Sequence, residues 1–231
     1  MKLKENNIMK NKIKNNLTEL VFILDRSGSM SGLEDDTIGG YNSVIARQKN
    51  ENGEALVTTV LFDDQVELLH DRVNIKEISA ISEQDYYVRG STALLDAVGK
   101  TITKIVRTER QSSDDLRADK VMFVIITDGM ENASREYNFE KIKTMIQHEK
   151  EKYGWKFVFL GANIDAVSAA SDIGICSDRA ANYNPDKKGT RLNYEAINSV
   201  VSELRMNNCV GEEWKSHIDE DFKTRGKKKK S

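Results

Sequence analysis

Short unbroken apolar runs alternate along this chain with apolar residues at helical spacing. Leu20–Leu24, Lys120–Ile126 and Trp155–Leu160 are apolar, rich in β-branched or aromatic residues and bounded by turn formers, as strands buried on both faces of a parallel sheet are. Leu56–Phe62 has the same β-branched character and reads as another strand. Gln65-Val66-Glu67-Leu68 alternates, and only Asp63-Asp64 separates it from the preceding run; so short a connection permits only a hairpin, which makes this an antiparallel edge strand. Arg179–Tyr183 reads as a last short strand before Pro185. Helical stripes fill the intervals: Ile38, Tyr41, Val44 and Ile45; Leu95, Val98, Ile102, Ile105 and Val106; Phe139, Ile142 and Ile146; and Leu192, Ile197, Val200, Val201 and Leu204. Asp35, Asp36 and Thr37 suit the opening of the first helix, and Gly53 and Gly154 the ends of helical segments. A short helix around Ala166–Asp172 is closed by Gly174. The predicted order is β-α-β-β-α-β-α-β-α-β-α. That is an α/β architecture, a mostly parallel six-stranded sheet with helices on both faces.

Composition narrows the class. At 231 residues the chain is long enough for one large domain with a sizeable core. The expected organisation is a flexible lead over residues 1–16, rich in Lys and Asn, one domain over 17–207, and a polar, basic tail over 208–231. Charged residues make up 31% of the sequence but the formal net charge is −2, so there is no global pull toward nucleic acid or anionic membrane. The closing Arg225-Gly-Lys-Lys-Lys-Lys-Ser stretch reads as a solvated end. No run approaches the ~18 apolar residues of a membrane span, and the first residues lack the apolar centre of a secretory signal. Cys176 and Cys209, the only cysteines, stand in no CxxC or Cys/His cluster and agree with a reducing compartment. The expected location is cytoplasmic.

The chemistry gathers where strands end. The first strand stops at Asp25-Arg26-Ser27-Gly28-Ser29, the most apolar strand stops at Thr127-Asp128-Gly129, and Arg89-Gly90-Ser91-Thr92 precedes a helix. In open α/β sheets, ligands bind outside the carboxyl ends of the strands, where the winding direction reverses. Hard oxygens of this kind suit Mg²⁺, Mn²⁺ or Ca²⁺ rather than zinc or copper. Each stretch alone reads as a turn or a helix cap. Together, Asp-x-Ser-x-Ser after a first strand, a distant Thr in Gly-Ser-Thr, and Thr-Asp-Gly after a later strand resemble the von Willebrand factor type A (VWA) family, over about residues 17 to 207. The resemblance implies a Rossmann-like, doubly wound sheet with one antiparallel edge strand. It also implies a metal-ion-dependent adhesion site in which Ser27, Ser29 and Thr92 hold Mg²⁺ or Mn²⁺ (Ca²⁺ being a further candidate), with Asp25 and Asp128 acting directly or through water. The implied activity is binding of a protein partner that presents an Asp or Glu, and not catalysis. Stand-alone copies of this kind look like the bacterial and phage members, some of which accompany AAA⁺ ATPase or stress-response systems.

Two other classes compete. A Mg²⁺-dependent phosphohydrolase needs a phosphate cradle or a positioned base; no G-x-x-x-x-G-K-[ST] or G-x-G-x-x-G loop is present, and His70, His148 and His217 lie far from the motif loops. A scaffold that uses the ion only for stability is the third. Around the motifs, Arg26 is expected to pair with a partner's acid, with Asp35 or Asp36, or with another surface acid. Met130, Glu131 and Asn132 are expected to make the turn after Asp128 or else to line the rim, Gly90 to allow close approach of the Thr92 loop or simply to make a turn, and Asn163 and Asp165 to cap a helix.

Overall fold

The computed structural model describes residues 16–114 and 116–226. The strands are β1 (Leu17–Asp25), β2 (Glu54–Phe62), β3 (Val66–Asn74), β4 (Lys120–Thr127), β5 (Lys156–Gly161) and β6 (Ala180–Asn182); the α-helices are α1 (Glu34–Gln48), α2 (Leu94–Gln111), α3 (Phe139–Tyr153), α4 (Ala166–Asp172), α5 (Lys187–Asn207) and α6 (Ser216–Gly226). They form one sheet in the order β3-β2-β1-β4-β5-β6. Among the described residues only the β2–β3 pair is antiparallel, and the other pairs are parallel.

Period-two alternation splits each central strand between two cores. Leu20, Phe22 and Leu24 of β1, with Met122, Val124 and Ile126 of β4, face the layer containing α1, α5 and Ile218 of α6. Val21 and Ile23, with Phe123 and Ile125, face α2, α3 and α4. That two-sided burial is why these strands are continuous apolar runs.

The elements the periodicity predicts are present, with longer ends for two of them. β1 starts at Leu17, and β3 runs on to Asn74 past an irregularity in its pairing with Thr59. Gly154 closes α3 in the left-handed region at φ 68°, where a residue without Cβ has no steric penalty. The main difference lies in the expected tail. Residues 212–215 form a 3₁₀ turn and α6 follows it, with Trp214 and Ile218 buried. Few apolar residues mark this helix, so no stripe reveals it. Polar groups anchor it instead: Asn184 Nδ2 donates to Asp221 Oδ2 at 3.0 Å, Lys188 pairs with Asp221 at 2.7 Å, and Arg225 pairs with Asp186 and Asp221. The lead at 1–15 and the lysine run at 227–231 lie outside the described residues.

This connectivity fixes the functional edge. From β1 the chain winds toward β2 and β3, then crosses through α2 to β4 on the other side of β1. The switch point therefore falls between the carboxyl ends of β1 and β4, where Asp25 and Thr127-Asp128 stand. Among the described residues no helix is long and apolar enough to cross a membrane.

Candidate metal centre

Three loops meet at the switch point. After β1, the Ser27 N–H turns back to donate to Asp25 Oδ1 at 2.7 Å, and Gly28–Met30 forms a single 3₁₀ turn. That turn brings the hydroxyls of Ser27 and Ser29 to 2.9 Å from each other. The loop before α2 reaches the same point, and the Thr92 hydroxyl donates to Ser27 Oγ at 3.0 Å. Backbone bonds fix this approach: the Gly28 N–H donates to the Gly90 carbonyl at 3.2 Å and the Arg89 N–H to that of Arg26 at 2.8 Å. Gly90 has φ 67°, and a Cβ there would lie 2.1 Å from Asp64 Oδ1, so the expected close approach of this loop is observed.

Ser27, Ser29, Thr92 and Asp128 line one open depression of about 340 Å³, with Gly129, Met130, Asn132, Asn163 and Ile164 around them. Asp25 is not part of its wall. Its carboxylate lies fully buried behind the loop, accepting the Ser27 N–H and, at Oδ2, the Thr127 hydroxyl at 2.6 Å. Asp25 thus orients the serine loop and carries negative charge beneath it.

The donor chemistry fits a hard divalent cation. Asp25 and Asp128 are both buried, and among the described residues neither has a lysine, arginine or histidine partner. Burial pushes the pKa of both carboxyls above the ordinary carboxylate range, opposed for Asp25 by hydrogen bonds from Thr127 and Ser27 and for Asp128 by those from Ser29 and Asn163. Asp128 Oδ1 is buried with no hydrogen-bond partner among the described residues. Two buried acids without a counter-charge are costly, and a cation among these oxygens would offset that cost. Among the described residues no three His, Cys, Asp or Glu side chains cluster as a metal site. The set here is three hydroxyls and one carboxylate, backed by a second carboxylate, as Mg²⁺ or Mn²⁺ would accept.

Several neighbours do more than the sequence suggested. Arg26 is fully buried and points away from the depression, pairing with Asp63 at 3.0 Å and Glu67 at 2.7 Å. The expected pairing with Asp35, Asp36 or a partner's acid is therefore corrected: the β2–β3 hairpin supplies its acids. Asn132 clasps Thr92, accepting its N–H at 2.9 Å and donating its own N–H to the Thr92 carbonyl at 3.0 Å. Glu131 accepts the Leu95 N–H at the start of α2 at 2.9 Å, and Asp96 accepts three backbone N–H groups from residues 135–137. The turn after Asp128 thus locks the Thr92 loop, a role beyond turn-making. Asn163, expected to cap, instead donates to Asp128 Oδ2 at 3.3 Å from a left-handed backbone. Asp165 does cap α4, accepting the Ser168 N–H. Thr127 and Tyr86, whose hydroxyl donates to the Asp25 carbonyl at 2.5 Å, escaped the sequence reading. The Thr127-Asp128-Gly129 motif was a usable signal for Thr127; nothing local marked Tyr86.

No protein-family model matches the sequence, and neither does any curated protein. Solved structures do. A proximal thread matrix protein from the mussel byssus, with a zinc-occupied MIDAS motif, aligns over 80% of this chain and 46% of its own, at 13% identity and TM-score 0.56. A von Willebrand factor type A protein from Catenulispora acidiphila aligns over 82% and 43%, at 12% identity and TM-score 0.52. A D319A mutant of the PilB minor pilin from Streptococcus sanguinis aligns over 82% and 62%, at 12% identity and TM-score 0.53. The chain thus spans less than two thirds of the length of each. At such identities the likeness shows the fold: this chain has the VWA architecture.

Proposed function

We propose that this chain is a metal-dependent protein-interaction module whose divalent cation, Mg²⁺ or Mn²⁺, is held by Ser27, Ser29, Thr92 and Asp128, with Asp25 behind them. The observation that carries the reading is the meeting of three hydroxyls, brought from two distant loops, with a buried carboxylate that has a free oxygen and no cationic partner. The mussel protein's zinc-occupied MIDAS motif supports it, since a protein of similar fold carries a metal in a motif of this kind.

The chemistry the ion supplies is a Lewis-acidic centre that accepts a carboxylate oxygen from outside. This chain's residues do the rest. Ser27, Ser29 and Thr92 offer neutral oxygens, which leave positive charge unneutralised. Asp25 is occupied by the Ser27 N–H and the Thr127 hydroxyl, so its charge acts from behind the loop. Asn163 and Ser29 orient Asp128. The depression is open to solvent, with Ser29, Met130 and Asn163 exposed on its wall, so an Asp or Glu of a partner has access. Among the described residues its wall holds no histidine, lysine, arginine or cysteine, and we read a binding module in preference to an enzyme. We place it in the cytoplasm with a protein partner, an AAA⁺ ATPase or stress-response component being the class the family resemblance adds, and with neither nucleic acid nor membrane as ligand.

The test is capture from native lysate on the immobilised full chain, with Mg²⁺ and with EDTA, for the parent and for S27A/D128A. The expected result is a partner retained by the parent in Mg²⁺ and lost both in EDTA and with the variant. Equal capture by the variant, with its circular dichroism unchanged, would overturn the reading.

A further inference from the structure

The chain has two cysteines, 176 and 209, and the fold brings both to one place. Cys176 precedes the 3₁₀ turn Ser177–Arg179 that leads into β6; Cys209 follows α5 in the link to residues 212–215. Both thiols are free and exposed, and both line a single cavity of about 320 Å³ at the end of the sheet opposite the candidate metal centre. The two segments are tied side by side. Arg179 donates to the carbonyls of Val210 at 2.9 Å and Gly211 at 3.2 Å, Trp214 Nε1 to that of Asp178 at 2.7 Å, and Lys215 Nζ to those of Ser177 and Ala180 at 2.7 Å each.

The surroundings of the two sulfurs differ in a useful way. Lys150 Nζ lies 3.5 Å from Cys176 Sγ, so a positive charge faces the sulfur that attacks as a thiolate. Cys209 donates its S–H to Glu203 Oε1 at 3.8 Å, a carboxylate placed to receive its proton. Among the described residues no third Cys, His, Asp or Glu joins the pair as a metal set, so thiol chemistry is favoured over a soft-metal site.

We propose that Cys176 and Cys209 form a peroxide-responsive dithiol that closes reversibly to a disulfide. The Cys176 thiol gives its proton to solvent and its thiolate attacks hydrogen peroxide; an S–O bond forms, the O–O bond breaks, and the departing hydroxide takes up a proton from solvent, equal to the one released, to leave as water. Cys209, giving its proton to Glu203, then attacks the sulfur of the Cys176 sulfenic acid. The S–S bond forms, the S–O bond breaks, and the hydroxide released takes that proton to leave as a second water. The two thiols are oxidised to one disulfide and one peroxide is reduced to two waters. Closure requires their Cα atoms to lie within about 4.4–6.8 Å of each other. The product staples the link between α5 and α6 to the β6 edge of the sheet.

The full chain is treated with one equivalent of hydrogen peroxide at micromolar concentration, then alkylated and analysed by intact mass and non-reducing peptide mapping. The expected result is a monomer lighter by two hydrogens, no alkylatable thiol, a linked Cys176–Cys209 peptide, and full recovery of both thiols with dithiothreitol. C176S and C209S each form no internal bridge, and C209S accumulates a sulfenic acid that a dimedone probe traps at Cys176. Retention of both alkylatable thiols, disulfide-linked dimers in place of the internal bridge, or sulfinic acid formation without a bridge would overturn the proposal. None of these readouts involves the metal centre.

Discussion

Gly129 follows Asp128 directly, and a methyl group on its α-carbon would sit 2.6 Å from the Thr92 hydroxyl and 2.8 Å from that of Ser29. Its backbone does not occupy the left-handed region, so alanine costs little in conformation and fills the space among the hydroxyls. Gly129→Ala is therefore expected to keep the circular dichroism of the parent while losing the Mg²⁺-induced rise in melting temperature. A parent-like rise in the variant would show that the cation binds elsewhere. Arg26 supports the same loops from below. It is fully buried against Asp63, and Asp63 Oδ2 also receives Arg89 at 2.6 Å. Removing one member of a buried ion pair costs about 3–5 kcal/mol, because the remaining charge is left uncompensated. Arg89 still serves Asp63, so Arg26→Ala is expected to fall toward the lower end of that range in urea unfolding, with a larger loss in Mg²⁺ affinity than Lys76→Ala, whose exposed pair with Glu54 is remote from the site.

At the scale of elements, Glu19 couples β1 to its surroundings. It is fully buried, accepts the Thr58 hydroxyl at 2.8 Å and faces Arg72 Nε at 3.3 Å; Arg72, at φ 50° in β3, also binds Glu109 of α2. Burial outweighs Arg72 and Thr58 and lifts the Glu19 carboxyl from 4.5 to about 7. The folded state then holds this proton more tightly than the unfolded chain, so the contribution falls as pH rises from about 4.5 to about 7 and is constant above, a change on the order of 3 kcal/mol. Asp221 has the opposite sign: its contacts with Arg225 and Lys188, acting against burial, hold its carboxyl far below its ordinary value, and its contribution disappears as pH falls below the ordinary Asp range. Denaturant midpoints measured across pH should therefore decline between 4.5 and 7, and Glu19→Gln should flatten that limb alone. An unchanged limb in the variant would assign it to another group. α6 is the element the sequence hid. Trp214 is buried where α6 begins and bonds to the Asp178 carbonyl, so Trp214→Ala is expected to cost about 3–5 kcal/mol. Burial with a clear period made β1, β2, β4 and β5 legible, since each had to be apolar on both faces. α6 was not, because two apolar anchors and a set of ion pairs hold it, and ion-pair partners distant in sequence leave no local pattern. The same reason explains Arg26: its acids lie 37 and 41 residues away on a hairpin.

For the whole molecule, the switch point between β1 and β4 decides whether the cation would hold the fold together or only equip it. The motif hydroxyls bond to one another, Ser29 to Ser27 and Thr92 to Ser27. The loops that carry them are pinned by backbone bonds and by Asp25, Asn132 and Glu131. The cores on the two faces of the sheet are closed without any contribution from the rim. The fold is therefore expected to persist in EDTA, with an unchanged far-ultraviolet spectrum and one cooperative transition. Only the native state assembles the four side chains, so Mg²⁺ stabilises by mass action, about 2.7 kcal/mol when the free ion is a hundredfold above its dissociation constant and about 1.4 kcal/mol more per further decade. A melting temperature that climbs with the logarithm of Mg²⁺ concentration, in the parent but not in Ser27→Ala/Asp128→Ala, fits an ion added to a finished scaffold. Collapse of the transition in EDTA would instead make the ion a structural strut and remove the reason for leaving it open to a partner's acid. The geometry argues for the first outcome, because within the rim the uncompensated charge sits at Asp25 and Asp128, while the loops that position the three hydroxyls are held by partners within the chain.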